Sequence, residues 1–187
     1  YVFSAIALNE VLTKFNLEIF DLNILKTHGG STRYFIKKKD NQKYKINKKV
    51  NKEILKERKY GLHNFNTYLS FSKRVRKSKQ SFIKILNKLN YENKKVIGYG
   101  ATAKSCTVLN YCKVNKKNIR YFLDTTPDKI DKYLPGSRIR IKKYKKLSKK
   151  DADVVFLGAW NFKKEILKKN RDLIKKGIEF YFPVNIQ

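Results

Sequence analysis

The segment Val96-Ile97-Gly98-Tyr99-Gly100-Ala101-Thr102-Ala103-Lys104-Ser105 runs from a short apolar strand through two glycines into a helix start. Glycine spacing of this kind carries meaning only in that strand-to-helix context. Amides at a helix start point outward, and the helix dipole favours an anion there. Gly98 permits a tight turn, and Gly100 lets the backbone approach a phosphate with no Cβ in the way. Lys104 and the hydroxyls of Thr102 and Ser105 offer charge and donors. Three ligands compete for such a corner. As Gly-x-Gly-x-x-Ala it matches a dinucleotide fingerprint, and Asp124 lies 24 residues after Gly100, near the place of a ribose-binding acid. As a P-loop it fits poorly, because Ala103 replaces a glycine and Gly158, not an acid, follows the strand Val154–Leu157. The third ligand is a nucleoside diphosphate carrying some other group. A plain glycine turn that tightens a strand-helix corner is the structural alternative.

Outward from this segment, strands alternate with helices. Ile119–Asp124, Arg138–Ile141, Asp153–Gly158 and Ile178–Phe182 read as strands. Thr102–Tyr111 and Phe162–Lys176 read as helices, with Pro135-Gly136 a turn and Gly177 a helix stop. This alternation predicts an α/β, Rossmann-like domain with a parallel sheet over residues 94–187. Trp160-Asn161-Phe162 follows a strand, at the edge where open α/β sheets bind ligands. Trp160 is suited to stack on a base or ribose. Asn161 either contacts ligand or caps the next helix. Asp124-Thr125-Thr126-Pro127 lies at a strand's carboxyl end as well.

Upstream, residues 4–16 read as a helix capped by Ser4, with Ala5, Leu8, Val11, Leu12 and Phe15 on one face. Leu17–Phe20 and Asp21–Leu25 look extended. His28-Gly29-Gly30-Ser31 reads as a turn into the β-rich run Thr32–Ile36. Residues 37–59 carry 11 Lys plus Arg against 3 acids and read as a solvated connector with a partial helix at Asn51–Lys59. Residues 61–90 form one long helix or two abutting ones, with Leu62, Phe65, Leu69, Val75, Phe82, Leu86 and Leu89 near one stripe. The expected division is 1–40, 41–93 and 94–187.

Composition narrows the function classes. The 187 residues carry a net charge of +30, but 41% are hydrophobic, so this is no disordered basic tail. No apolar run approaches the ~18 residues of a membrane span. Cys106 and Cys112 are too few for a disulfide scaffold or a four-thiolate zinc site. His28 and His63 have no metal-spaced partner. The basic residues are 37 Lys and only 8 Arg, and the fork of Arg is the better grip on bases and phosphates. Lys, Asn, Ile, Tyr and Phe share A/T-rich codons, so the charge reads mainly as genomic bias. A nucleic-acid partner is therefore not expected. The chain has no methionine, which suggests a processed chain or a fragment.

Ser4–Leu8, His28–Arg33, Gly98–Lys104, Leu109–Cys112, Tyr133–Gly136 and Trp160–Phe162 together resemble the C-terminal half of the S-adenosylmethionine-dependent sugar C-methyltransferases. The motifs come in that family's order and about its spacing. The resemblance implies three parts in an intact relative: a zinc-binding N-terminal part, a class I methyltransferase domain for S-adenosylmethionine, and a Rossmann-like domain that helps hold a nucleotide-linked sugar. Residues 1–40 then correspond to the end of the methyltransferase domain, 41–93 to a helical connector and 94–187 to the C-terminal domain. The family's catalytic stretch lies just before the position of Tyr1, so no catalytic residue carries over, and this piece is expected to be inactive alone. The implied chemistry is proton abstraction beside a sugar ketone, then attack of the enolate on the methyl donor. The expected partners are a nucleotide-diphosphate sugar, dTDP-linked, and the methyltransferase domain in cis or trans, in the cytoplasm. Gly98, Tyr99, Gly100, Thr102, Lys104 and Ser105 are expected around the diphosphate. Asp124, Trp160 and Asn161 are expected at the nucleoside or sugar. The competing readings are a dinucleotide-binding oxidoreductase-type domain and a basic nucleic-acid-binding module.

Overall fold

The computed structural model describes residues 3–27 and 30–182. His28 and Gly29 of the expected turn lie outside the described residues. The chain divides into two compact units, residues 1–74 and 75–187.

In the first unit, α1 (Ala5–Thr13) begins at Ser4, whose hydroxyl accepts the Ala7 amide as an N-cap should. It buries Ala5, Ile6 and Leu12, while Val11 and Phe15 of the expected apolar face stay exposed. Strands β1 (Leu17–Leu25) and β2 (Ser31–Lys38) form an antiparallel hairpin with a bulge between Ile19 and Asp21. Helix α2 (Lys48–Tyr60) starts three residues before the expected partial helix, because Asn47 caps it. Leu12, Ile19, Leu22 and Val50 make a small shared core. Glu57 of α2 closes this unit: its two carboxylate oxygens accept the Ala5 and Ile6 amides, each at 2.9 Å. Helix α3 (Phe65–Tyr91) is a single helix, and the boundary between the units falls within it. Of the expected stripe, Phe82 and Leu86 are buried, whereas Phe65 is 72% exposed.

The second unit is built on a five-stranded parallel sheet of β3 (Val96–Tyr99), β4 (Phe122–Asp124), β5 (Ile141–Lys143), β6 (Val154–Leu157) and β7 (Glu179–Tyr181). Their spatial order is β5-β4-β3-β6-β7, the doubly wound pattern whose strand order reverses between β3 and β6. Apolar residues cover both faces, as parallel strands require. Val96, Phe122, Val154 and Phe156 face one core with Phe82, Leu86 and Leu109, the last from α4 (Ala103–Tyr111). Ile97, Leu123 and Val155 face the other with Leu147, Leu173 and Ile178.

Two expectations in this unit need correction. The strand expected at Arg138–Ile141 falls at Ile141–Lys143, since Gly136 and Arg138 take positive φ and keep the chain in a turn. The helix expected over Phe162–Lys176 is two, α5 (Lys163–Lys169) and α6 (Arg171–Lys175). Asn170 separates them. It is buried, and its side-chain amide donates to the Ile166 carbonyl at 2.7 Å, a local bond that competes with helix continuation.

Gly98 is a strand residue rather than a turn residue, and its reason is packing. A Cβ there would lie 2.4 Å from the Phe122 ring. Gly98→Ala is expected to lower stability by about 1–3 kcal/mol through overpacking. Thermal melts check this, and Phe122→Leu added to Gly98→Ala should recover part of the loss.

Candidate functional site

The switch between β3 and β6 puts two loops side by side at the carboxyl ends of the strands. Gly100 ends the first with φ +85, a conformation that suits glycine. A Cβ on Gly100 would lie 2.6 Å from the Ala159 Cβ, and one on Gly158 would lie 2.3 Å from the Gly100 carbonyl oxygen. The glycines at 100 and 158 thus let the two loops touch. In sequence Gly158 stands only as the end of a strand and a departure from a P-loop, and Ala159 carries no sign, because the strand order that brings them to Gly100 is a tertiary fact.

Helix α4 opens on a reciprocal cap. The Thr102 hydroxyl accepts the Ser105 amide at 3.1 Å, and the Ser105 hydroxyl accepts the Thr102 amide at 2.9 Å. The Thr102 hydroxyl also donates to the Gly158 carbonyl at 2.9 Å, which ties α4 to the loop after β6. Ser105 is fully buried, and its hydroxyl donates to the Thr102 carbonyl at 2.7 Å. Both hydroxyls expected to face a phosphate are therefore engaged in holding the corner. In the first turn of α4, the amides of Ala103 and Lys104 are not drawn into these bonds, and Lys104 is half-buried beside them.

Asp124 ends β4 and is only 8% exposed. Its carboxylate accepts the Ala101 amide at 2.7 Å and the Thr126 amide at 2.8 Å. Lys129 stands 3.6 Å from the same carboxylate and donates to the Ala101 carbonyl at 3.0 Å. Burial pushes the Asp124 carboxyl up. The Thr126 amide and hydroxyl, the Ala101 amide and the Lys129 charge outweigh it and hold the group below its ordinary value. The acid placed by sequence at a ribose is thus bonded to the backbone of the glycine corner. That also removes the free ribose acceptor a dinucleotide reading needs.

The remaining candidates are more scattered, with the Tyr99 side chain on the sheet face opposite α4 and Cys112 at the far end of α4. The Tyr99 ring meets Tyr144 edge-on at 5.5 Å, and burial raises its phenol. Trp160 and Asn161 begin a 3-10 turn directly after Ala159, Trp160 half-buried and Asn161 exposed. Asn161 does not cap α5, which has no side-chain cap. Cys106 and Cys112 are free, and burial raises both thiols, which disfavours the nucleophilic thiolate. Among the described residues no three His, Cys, Asp or Glu side chains converge as a metal site would need. Clefts of about 330 and 300 Å³ open instead at the amino ends of the strands, beside Lys94 and Asp153 and beside Lys117 and Arg120. The chemistry-bearing groups gather at the opposite, carboxyl end, which is where open sheets of this order bind ligands.

The depressed carboxyl has a pH consequence. Its contribution is complete above pH 3.8, the ordinary value for the group, and is lost as pH falls below that. Asp124→Asn is expected to cost about 1–3 kcal/mol near neutral pH, because an amide cannot accept from both backbone donors. The gap in melting temperature between the variant and the parent chain should narrow on acidification below pH 3.8.

The sequence matches the C-methyltransferase C-terminal domain family over residues 26–185. It is also 29% identical over 185 residues to the C-methyltransferase NovU of Streptomyces niveus. That alignment takes in 97% of this chain and 44% of the relative, so the chain spans less than half the length of the protein it resembles. With the family matched along most of its length and a parallel Rossmann-like sheet beneath the match, this chain belongs to the C-methyltransferase C-terminal domain family.

Proposed function

We propose that this chain is the substrate-holding, C-terminal portion of an S-adenosylmethionine-dependent C-methyltransferase that acts on a carbon of a nucleotide-linked keto-deoxysugar. The observation that carries the reading is the glycine corner at the β3–β6 switch point, in a chain of this family. The Ala103 and Lys104 amides and the Lys104 ammonium receive the diphosphate at the start of α4. Trp160 and Asn161, on the adjoining loop, take the nucleoside or the sugar. Gly100, Thr102 and Ser105 shape the corner, and Asp124 works from behind, while Tyr99 packs with Tyr144 on the sheet face opposite α4. The nucleotide is dTDP.

The described residues do not fit the methyl donor. At the β3 corner the space over Gly100 is filled by Ala159, and the Asp124 carboxylate is committed to two amides. The donor's domain is the partner, in cis or in trans, and zinc belongs to a part outside this sequence. What this chain supplies is placement: binding energy far from the reacting carbon orients the sugar for deprotonation and methyl transfer. By itself it is inactive. No described helix is long and apolar enough to cross a membrane. The proposed location is the cytoplasm.

Thermal denaturation with added ligand tests the reading. A ligand at about 100 times its Kd stabilises by about 2.7 kcal/mol, a shift of several degrees for a chain of this size. A dTDP-sugar should raise the melting temperature, NAD should not, and Lys104→Ala should shrink the shift. Stabilisation by NAD and not by the dTDP-sugar would favour the oxidoreductase reading and sink this one.

A further inference from the structure

We propose that Lys129, which stands outside every sequence motif, is the positioning cation of the corner and makes it able to accept a diphosphate. The inference rests on the reading that the corner seats a nucleoside diphosphate. Lys129 closes the 3-10 turn Pro127–Lys129 that follows β4. Its ammonium donates to the Ala101 carbonyl at 3.0 Å and sits 3.6 Å from Asp124 Oδ2.

Two consequences follow from these distances. The first is geometric. Asp124 takes the Ala101 N–H and Lys129 takes the Ala101 C=O, so two successive peptide planes are clamped. Those planes lead into Thr102, the N-cap of α4, and so set where the α4 amides point.

The second is electrostatic. Asp124 places a nearly buried negative charge directly behind the start of α4. A carboxylate there repels an arriving phosphate, and weak solvent screening makes the repulsion reach further. Lys129 is the cation paired with that carboxylate. Its side chain remains 40% exposed, so it neutralises Asp124 while keeping contact with solvent at the same edge. Lys104 is the second residue of α4 and makes no ion pair among the described residues, so it adds charge but does not cancel Asp124. The cation in the motif and the cation that makes the motif usable are different residues.

Calorimetric titration of the chain with dTDP and with uncharged thymidine separates this role from a purely structural one. Lys129→Gln should weaken dTDP about tenfold and thymidine less than about twofold, since a partly exposed charge pair acts mainly on the charged ligand. Lys129→Arg should restore dTDP affinity to within about threefold, because the charge is kept. Equal losses for dTDP and thymidine, or no loss for either, would overturn the role of Lys129 while leaving the nucleotide reading intact. A parent chain that binds neither dTDP nor thymidine would overturn the nucleotide reading, and the role of Lys129 with it.

Discussion

Two backbone amides, from Ala101 and Thr126, converge on the Asp124 carboxylate, and the geometry of the corner depends on that convergence. Burying a carboxylate is costly unless donors and a counter-charge meet it. Here two amides and the Lys129 ammonium do so. Because Ala101 is held, Thr102 arrives in position to cap α4 and to reach across to Gly158. Because Thr102 reaches Gly158, the loops after β3 and β6 stay in contact through Gly100 and Ala159. An acid used in this way is not free to bind a ribose, which separates this corner from the dinucleotide sites its glycine spacing imitates.

A division of labour follows. Thr102, Ser105 and Asp124 are consumed by the scaffold. On the proposed reading, the groups left to meet a ligand are two helix-start amides, Lys104 and the Trp160-Asn161 turn.

Much of the second unit was legible in sequence. The largely apolar runs at 96–99, 122–124 and 154–157 are strands because a parallel sheet covered on both faces needs apolar residues on both. The break at Asn170 was not legible, since it comes from one side-chain bond inside an otherwise periodic helix. For the site, the glycine spacing was visible but its reason was not. Phe122 and Ala159 are what exclude a Cβ at Gly98 and Gly100, and both are tertiary neighbours. Thr102 is of a residue type that favours N-caps, a sign readable in sequence, but Ser105 carried none, since a capping box is signalled by Glu or Gln at N3. Lys129 carried none, because nothing in a lysine-rich sequence distinguishes the one lysine that folds back onto Ala101. The +30 charge likewise says little about partners, while the placement of two lysines says a good deal.

Whether the α4 corner seats the diphosphate of a nucleotide-linked sugar is read most directly by an amide-resolved NMR titration of the chain with dTDP. The largest shifts are expected at the Ala103 and Lys104 amides and at the Trp160 indole, with the core strands unmoved. Shifts confined to the amino ends of the strands, around Lys94, Lys117 and Arg120, would contradict this seating.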